Sequence, residues 1–490
     1  MSSIEILLTE PIGTIKRNLY GQFVEHLGNC IYEGLWQNDG ICEQLVGLLK
    51  RIEPPVIRWP GGCFADDYHW RDGIGAKEAR PKRVNINWGN VIETNSFGTH
   101  EFIRLCRAVG AEPYISGNVG SGTPGEMRDW VEYCNYPGGS TLSDLRAAHG
   151  DAAPMKVKYW GVGNEAWGCG GHFTPEDYAG EFRRYATYLR DFGDTPVYLI
   201  ACGPDGNDLD WTRRFFERLF RDYRQCGRIH GYSAHYYCGT AGTATKYTDA
   251  EWYELLLKAS RVEELIVQQR GLMDVFDPER KIGLILDEWG TWHPPTAGRN
   301  PAFLWQQNTL RDGLVAAITL DAFNRHADKL YMANIAQMVN VLQALFLVEG
   351  GKVVTTPTYH VFELYKNHQG GRSVRVVFGG PEVVFTHEGQ MKRLPGLSGS
   401  ASLKGKTLTL TVVNRRVGEP TPATVNLRGD TGAAIVRETA LSHGDIEAHN
   451  TPDEPDKVRL SEPRVLALRG GSFRYTFGAQ SVTRLEMALV

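Results

Sequence analysis

The sequence predicts an α/β protein, a (β/α)8 TIM barrel followed by a C-terminal antiparallel β-sandwich of jelly-roll-like form. Short apolar runs alternate with helix-period segments between residues 20 and 336, and eight of the runs are predicted strands. Beyond residue 370 the pattern changes to alternating or β-branched strands separated by Gly, Asp and Pro. At 490 residues the chain exceeds one typical domain, which suits a barrel with a second unit.

We predict three segments. Residues 1–13 form an N-terminal strand associated with the β-sandwich, residues 14–370 form the barrel that carries the candidate catalytic groups, and residues 371–490 form the sandwich. The sandwich contains neither cysteine nor tryptophan. It is therefore a weak candidate for chemistry or for stacking against sugars.

The barrel elements are predicted from apolar periodicity and from start and stop signals. The predicted strands are Tyr20–Leu27, Pro55–Gly62, Glu112–Val119, the start of Lys158–Gly171, Pro196–Cys202, Ile229–Tyr237, Lys281–Gly290 and Lys329–Ala336. Helices are predicted after most strands, among them Asp210–Tyr223, Asp249–Met273 and Gln307–Phe323. Thr123 is predicted to open one helix with a capping box, and Thr174 is the predicted N-cap of another.

Composition argues against several classes of partner. A formal net charge of −4 and a pI near 6.4 give no basic excess, so we expect neither nucleic acid nor an anionic membrane as the main partner. A neutral substrate fits better. The N-terminus lacks a basic region followed by an apolar one, which predicts a cytoplasmic protein.

Cysteine and histidine spacing predicts a protein without a metal centre. The nine cysteines are odd in number and dispersed, with no Cys-x-x-Cys pair, so free thiols are expected rather than disulfides or zinc. Histidines are scattered, and neither His-x-His nor His-Glu-x-x-His occurs. We therefore expect no catalytic metal and no cofactor.

Two predicted barrel strands end on a glutamate. The fourth strand ends at Glu165 and the seventh at Glu288, each beside Trp and Gly. Because catalytic groups of such barrels occupy the C-terminal ends of the strands, the two carboxyl groups are expected near each other. Glycoside hydrolysis requires two carboxyl groups that flank one anomeric carbon. Asn164-Glu165 alone has a second interpretation, a strand-end turn whose carboxylate caps a backbone group.

An ordered set of motifs extends this interpretation. The motifs are Phe23-Val24-Glu25-His26-Leu27-Gly28, Arg58-Trp59-Pro60-Gly61-Gly62-Cys63-Phe64, Gly163-Asn164-Glu165, Asp287-Glu288-Trp289-Gly290-Thr291-Trp292 and Ala333-Asn334-Ile335-Ala336-Gln337. Together they resemble the α-L-arabinofuranosidases of glycoside hydrolase family 51, over essentially the whole chain.

The resemblance implies a retaining mechanism with Glu165 as acid/base and Glu288 as nucleophile. It further implies an arabinofuranose pocket lined by Glu25, Cys63, Asn164, Tyr237 and Gln343, with Gln337 close to Gln343 in the sequence. The expected substrate is an arabinofuranosyl oligosaccharide from arabinan or arabinoxylan, cleaved in exo fashion. A homo-oligomer is also implied, with a hexamer as one candidate state.

Several of these residues also have a direct chemical interpretation. Strand alternation places Tyr237, rather than Tyr236, on the face of Glu288. An inward Arg58 would keep Glu288 ionised, although it could equally form a structural salt bridge. Trp88, in the loop after the second strand, and Trp292, in the Glu288 motif, complete the candidate substrate-binding set.

Three residues keep a structural alternative. Asn164 could hydrogen-bond the sugar 2-hydroxyl or be a turn residue. Cys63 could be a buried thiol, and Glu25 could pair with an arginine rather than bind hydroxyl groups.

Two other functions are open to the same sequence. An endo-β-glucanase or xylanase could use the same barrel and the same two glutamates, because a fold does not determine the substrate. A non-catalytic carbohydrate-binding protein with a decayed site is the alternative from a different class.

Overall fold

The structure, a computed structural model, describes residues 2–222, 228–429 and 431–490. Eight strands close a parallel barrel in which each strand pairs with its neighbour in the chain and the eighth pairs with the first. They are β1 (Gly21–Phe23), β2 (Val56–Trp59), β3 (Glu112–Gly117), β4 (Tyr159–Val162), β5 (Tyr198–Ala201), β6 (Gly231–Gly239), β7 (Gly283–Trp292) and β8 (Leu330–Ile335). The predicted TIM barrel is confirmed.

The helices pack around the barrel. They are α1 (Glu43–Ile52), α2 (Thr99–Val109), α3 (Pro124–Asn135), α4 (Thr141–Ala148), α5 (Pro175–Tyr188), α6 (Leu209–Glu217), α7 (Asp249–Ser260), α8 (Val262–Phe276), α9 (Leu310–Arg325) and α10 (Pro357–Tyr365). Thr174 caps α5 by accepting a hydrogen bond from the Asp177 N–H at 3.2 Å. None of the helices among the described residues is long and apolar enough to cross a membrane.

Three helix predictions need correction. The helix predicted at Asp249–Met273 is two helices that meet at Arg261, and apolar residues are buried on both sides of the junction, so periodicity gives no sign of the break. The helix predicted at Asp210–Tyr223 ends at Glu217 and continues as a wider π-type turn at Arg218–Asp222, whereas Tyr223 lies outside the described residues. Thr123 caps α3 through the Glu126 N–H, but the Glu126 carboxylate contacts His69 instead of completing a capping box.

The C-terminal region forms a nine-stranded sheet. In spatial order its strands are Arg464–Leu466, Ala433–Ser442, Ser481–Leu489, Thr407–Asn414, Leu397–Lys404, Arg372–Gly379, Ser2–Thr14, Thr421–Arg428 and Ser472–Phe477. Every pairing is antiparallel except that of Ser2–Thr14 with Thr421–Arg428. Apolar side chains from strands along the whole sheet, including those near its two edges, pack into one hydrophobic core that is separate from the core of the barrel. The predicted antiparallel second domain is confirmed, and the N-terminal strand lies inside its sheet.

Four two-stranded sheets complete the described strands. They are Trp36–Gln37 with Gly40–Ile41, Arg83–Asn85 with Val91–Glu93, Phe346–Glu349 with Lys352–Thr355, and Glu382–His387 with Gln390–Pro395. The second of these carries Trp88 in its turn, above the mouth of the barrel.

A buried polar junction connects the barrel to the C-terminal sheet. Asp321 of α9 accepts hydrogen bonds from Ser400 at 2.6 Å, Thr411 at 2.7 Å and Tyr365 at 2.9 Å. Burial raises the pKa of Asp321 to about 6, although Arg325 and these three hydroxyl groups oppose the shift. The fully buried carboxyl group therefore resists ionisation in the native state.

Candidate active site

The two predicted glutamates meet at the C-terminal mouth of the barrel. Glu165 follows the end of β4, and Glu288 lies in β7. One carboxylate oxygen of each residue and a ring nitrogen of His235 all lie within 4.8 Å of one another. This spacing fits the separation of about 5–5.5 Å between the carboxyl groups of retaining glycosidases.

A β-bulge in the pairing of β6 with β7 orients the Glu288 side chain toward Glu165 and His235. Ala234 pairs with Leu286, but the next residue, His235, pairs with Glu288, so Asp287 is the extra residue of a bulge. Asp287 turns to another partner and accepts a hydrogen bond from Tyr114 at 2.8 Å. The bulge thus places Glu288 on the side of the barrel where His235 lies.

Glu288 is held as a carboxylate by two direct donors. Arg58 Nη1 donates to its Oε1 at 2.7 Å, and the Tyr237 hydroxyl donates to its Oε2 at 2.6 Å. As strand alternation predicts, Tyr236 points elsewhere and donates to the Lys258 carbonyl. Burial opposes ionisation of Glu288, but His235, Arg58 and Tyr237 outweigh it and hold the pKa of Glu288 below its ordinary value.

His235 connects the two glutamates. Its Nδ1 lies 2.8 Å from Glu165 Oε1 and 3.6 Å from Glu288 Oε2. Burial opposes protonation of the ring, but the charges of Glu288 and Glu165 outweigh it and raise the pKa of His235. The pair is not symmetrical, because the Glu165 side chain is 18% exposed and that of Glu288 is 8% exposed. Glu165 is thus the more accessible of the two glutamates.

Asn164 is fixed beside the same arginine. Its Oδ1 accepts a hydrogen bond from Arg58 Nη2 at 2.5 Å, and its backbone N–H donates to Asp66 Oδ2 at 2.8 Å. Arg58 also donates to Ser116 at 3.1 Å. One buried guanidinium therefore orients both Glu288 and Asn164.

A third carboxyl group, Glu25, lies next to this centre. Phe64 N–H and Trp88 Nε1 donate to its Oε1 at 3.0 and 2.9 Å, and Gln337 Nε2 donates to its Oε2 at 2.9 Å. Burial and the nearby Glu288 raise the pKa of Glu25 to about 7, although the three donors oppose the shift. Burial beside Glu288 thus favours the protonated form of Glu25.

The Gly-Gly pair after β2 makes room for these carboxyl groups. A Cβ atom at Gly61 would lie 2.9 Å from the Glu25 side chain, and one at Gly62 would lie 3.1 Å from Glu288 Oε1. A larger residue at either position would displace a candidate site residue.

Gln343 lies outside this cluster. Its Oε1 accepts a hydrogen bond from the Thr291 N–H at 2.9 Å, and its Nε2 donates to the Asp312 carbonyl at 2.7 Å and to Thr358 at 3.2 Å. These protein partners occupy the amide group of Gln343. We therefore replace Gln343 by Gln337, which contacts Glu25, in the candidate set.

The expectation of free thiols was wrong for one pair. Cys63 and Cys169 form a disulfide whose Cα atoms lie 5.5 Å apart. Both sulfur atoms lie close to Glu165 Oε2, at 3.9 Å for Cys63 and 3.6 Å for Cys169. Six other cysteines in the described part of the chain are free, and Cys226 lies outside it. A separation of 106 residues gives no sequence signal for the pairing.

Comparisons with known proteins agree with this geometry. Models of the α-L-arabinofuranosidase 1 domain and of the α-L-arabinofuranosidase C-terminal domain match residues 48–253 and 287–481. A Bacteroides ovatus protein named an intracellular exo-α-L-arabinofuranosidase is 41% identical over 487 residues, which cover 96% of this chain and 93% of that protein. The crystal structure of the GH51 arabinofuranosidase from Xanthomonas axonopodis pv. citri superposes with a TM-score of 0.93 at 38% identity, covering 99% of this chain and 100% of that one.

The chain belongs to the α-L-arabinofuranosidases of glycoside hydrolase family 51. A structure of the Thermotoga maritima α-L-arabinofuranosidase in complex with arabinose is also similar, with a TM-score of 0.86 and 32% identity over 99% of both chains. Membership of this family favours arabinofuranosidase activity over the glucanase, xylanase and non-catalytic alternatives.

Two clusters in this arabinofuranosidase site have the spacing of metal ligands. The first contains Cys63, Glu165 and Cys169, but its sulfur atoms are bonded to each other and are not thiolates. The second contains Glu165, His235 and Glu288. Arg58 already neutralises Glu288 there, which opposes the binding of a cation.

Of three further residues of the arabinofuranosidase site, one was predicted from the sequence and two were not. Trp292 was predicted and lies at the rim, 37% exposed, with its ring against the edge of Tyr237 at 5.0 Å. Sequence analysis assigned no role to His235 or to Asp66. Spacing along β6 could have found His235, whereas no local signal predicts the contact between Asp66 and the Asn164 backbone.

Proposed function

We propose that the chain is a retaining exo-α-L-arabinofuranosidase that releases terminal non-reducing arabinofuranose from oligosaccharides of arabinan or arabinoxylan. The proposal depends on one observation above all, the pair Glu165 and Glu288 with oxygens within 4.8 Å across the barrel mouth. The name of the Bacteroides ovatus relative supports the exo mode and the arabinofuranosyl substrate.

The surroundings of the two glutamates support different roles. Glu288 is buried, ionised and held by Arg58 and Tyr237, as a nucleophile that attacks the anomeric carbon must be. Glu165 is the more accessible of the two and lies on a loop after β4, where the leaving group and water can reach it. We therefore assign Glu288 as nucleophile and Glu165 as acid/base.

The first step forms a glycosyl-enzyme. Glu288 attacks the anomeric carbon as the glycosidic bond breaks, and Glu165 transfers its proton to the departing oxygen. In our proposal Asn164 binds the sugar 2-hydroxyl, while Glu25, Gln337 and Tyr237 bind the remaining hydroxyl groups. Trp88 and Trp292 bound the pocket, and Cys63 contacts the sugar from the side of Glu165.

The second step releases arabinose. Glu165, now a carboxylate, takes a proton from a water molecule that attacks the anomeric carbon, and the bond to Glu288 breaks. Two inversions give net retention, and Glu165 ends the cycle with its proton restored. Neither step consumes a cofactor.

The proposal also covers location and assembly. The intracellular location named for the Bacteroides ovatus relative supports a cytoplasmic one for this chain. The homo-oligomer implied by the family resemblance is part of the proposal, and light scattering on the purified chain measures its stoichiometry.

The stereochemistry of azide rescue tests the two roles. In Glu165→Ala, an activated aryl α-L-arabinofuranoside should still form the glycosyl-enzyme on Glu288, because its leaving group needs little protonation. Azide then enters from the vacated acid/base side and gives the α-azide with net retention. In Glu288→Ala, azide must displace the aryl group directly from the opposite face and give the β-azide.

Proton NMR of the anomeric centre distinguishes the two products. The α-azide from Glu288→Ala and the β-azide from Glu165→Ala would mean that the two roles are exchanged. Full hydrolysis by either variant would remove that residue from the catalytic pair.

A further inference from the structure

The loop that carries Glu165 lies outside any helix or strand between the end of β4 and the start of α5. Glu165 has φ of +38°, in the left-handed region that a residue with a side chain adopts at a cost. Such a conformation persists only where the surroundings enforce it. The contacts of this loop therefore decide where the carboxyl group points.

The first anchor of the loop is the carboxylate of Asp66, which is 4% exposed. Its Oδ2 accepts a hydrogen bond from the Asn164 N–H at 2.8 Å, one residue before Glu165. Its Oδ1 accepts from the N–H groups of Val119 and Gly120 at 2.7 and 3.0 Å. One side chain thus connects the loops that follow β2, β3 and β4.

The second anchor is covalent and begins in the same turn. Cys63 and Asp66 both belong to the short helical turn Cys63–Asp67, and the disulfide from Cys63 reaches Cys169, four residues beyond Glu165. The segment around Glu165 is therefore held on both sides by one turn. Between the anchors, the Glu165 carbonyl accepts hydrogen bonds from the Gly168 and Gly170 N–H groups at 2.8 and 3.1 Å.

We propose that Asp66 and the Cys63–Cys169 disulfide are positioning groups for the acid/base, which hold Glu165 at the distance from Glu288 that protonation of the leaving oxygen requires. This inference rests on the proposed role of Glu165. Neither anchor reacts with the substrate, although Cys63 contacts the sugar in our proposal. Asp66 and Cys169 act through the loop, so the loss of either should impair proton transfer rather than nucleophilic attack.

Leaving-group dependence distinguishes the two effects. An aryl group such as 2,4-dinitrophenyl leaves without a proton, whereas the sugar alkoxide of an arabino-oligosaccharide does not. A misplaced acid should therefore lower kcat/KM for the oligosaccharide and leave kcat/KM for the activated aryl arabinofuranoside nearly unchanged. General damage to the pocket would lower both by the same factor.

The primary test compares Asp66→Asn with Asp67→Asn and Glu165→Ala on both substrates. Asp67 is the exposed neighbour, and its replacement should have no effect. In Asp66→Asn an NH2 group replaces one of the two carboxylate oxygens. This donor faces a backbone N–H, which is also a donor, so one hydrogen bond is lost. We expect kcat/KM for the oligosaccharide to fall by about 10- to 100-fold, since a displacement of about 1 Å costs about that much. Asp66→Glu should recover part of the loss.

A second test removes the covalent anchor. Cys169→Ser should show the same selective loss, and Cys42→Ser, at a half-buried free cysteine, should not. Dithiothreitol on the wild-type chain transfers the disulfide to the reagent and leaves two thiols, so it should cause the same loss, reversed by oxidised glutathione. If Asp66→Asn does not fold, Cys169→Ser and the reduced wild type decide the question.

Equal losses on the two substrates, or no difference from the control variants, would overturn the positioning role. The Glu165→Ala reference separates this failure from that of the proposed function. If Glu165→Ala itself lacked leaving-group dependence, the acid/base assignment would be wrong. If Glu165→Ala alone showed leaving-group dependence, Glu165 would remain the acid/base, but Asp66 and the disulfide would not be positioning groups.

Discussion

Tyr237 and Arg58 control the charge of Glu288 by direct hydrogen bonds, and each contacts a different carboxylate oxygen. The other titratable neighbours of Glu288 are His235, Glu165 and Glu25. Because the pKa of Glu288 is below its ordinary value, the carboxylate persists as pH falls and is lost only below that ordinary range. The acid limb of the activity profile should report this loss.

Tyr237→Phe removes one donor to the carboxylate without changing the shape of the ring. The pKa of Glu288 should then rise, so the acid limb of kcat/KM should move to higher pH by about one unit, the equivalent of about 1.4 kcal/mol for a hydrogen bond to a charged group. A pH profile with an activated aryl arabinofuranoside measures this shift.

Tyr236→Phe is the matched control, because its hydroxyl donates to the Lys258 carbonyl, away from Glu288. Its acid limb should coincide with that of the wild type. An unchanged limb in Tyr237→Phe would show that the tyrosine does not stabilise the charged nucleophile.

Strand alternation and motif order made some of the site residues predictable from the sequence. The orientation of Tyr237 rather than Tyr236 came from the period of two along β6. Gln337 and Gln343 lie six residues apart in an irregular segment, where no period shows which of the two side chains points inward. The Cys63–Cys169 disulfide depends on a meeting of distant loops, for which the local sequence carries no signal.

At the scale of elements, the loop between β4 and α5 is packed tightly around Gly170. A Cβ atom at Gly170 would lie 1.8 Å from the Asn164 carbonyl oxygen and 2.8 Å from Asp66 Oδ2. The same atom at Gly168 would meet nothing nearer than the Glu165 carbonyl oxygen at 3.8 Å. The two glycines therefore differ in what they allow, although they lie two residues apart.

Gly170→Ala should force the backbone of Asn164 away from Asp66 and carry Glu165 with it. We expect kcat/KM for an arabino-oligosaccharide to fall by about 100-fold, as for a displacement of about 1 Å at a catalytic group. Overpacking should also lower the free energy of unfolding by about 1–3 kcal/mol. Steady-state kinetics and denaturant titration measure the two effects.

Gly168→Ala provides the comparison within the same loop and should resemble the wild type in both measurements. A Gly170→Ala protein with normal kinetics would mean that the loop can move without displacing the acid/base.

The elements themselves were largely predictable, because a strand buried on both faces is a short apolar run and each barrel run ends at Gly, Pro or a polar residue. The break at Arg261 was not, because buried apolar residues continue with helical spacing from Leu256 through Leu265. The bulge at Asp287 was also hidden, since it depends on pairing with β6.

Across the whole molecule, the barrel and the C-terminal sheet meet through apolar side chains, among them Val413 and Val482 of the sheet, and through the buried polar contacts of Asp321. The pattern change near residue 370 predicted the second unit, because alternation in strands differs from the near-continuous apolar runs of the barrel. Pairing of Ser2–Thr14 between Arg372–Gly379 and Thr421–Arg428 involves segments more than 350 residues apart in the chain. Sequence proximity gives no register for such pairs.

Asp321 at the junction gives the last prediction, a dependence of stability on pH. Its native pKa of about 6 exceeds the value of about 3.9 in an unfolded chain, so its stabilising contribution is complete below pH 4 and is lost as pH rises through 6. Asp321→Asn cannot ionise and lacks this loss. Between pH 4 and pH 7 the free energy of unfolding of Asp321→Asn should therefore rise relative to the wild type by up to about 3 kcal/mol.

Denaturant titrations of both proteins across this pH range measure the difference in their free energies of unfolding. The contributions of other titrating groups, such as Glu25 and Asp66, are the same in both proteins and cancel. The amide at position 321 also changes the hydrogen bonds with Ser400, Thr411 and Tyr365, but this offset is the same at every pH. A constant difference for Asp321→Asn would mean that the junction carboxyl ionises as readily in the native state as in the unfolded chain.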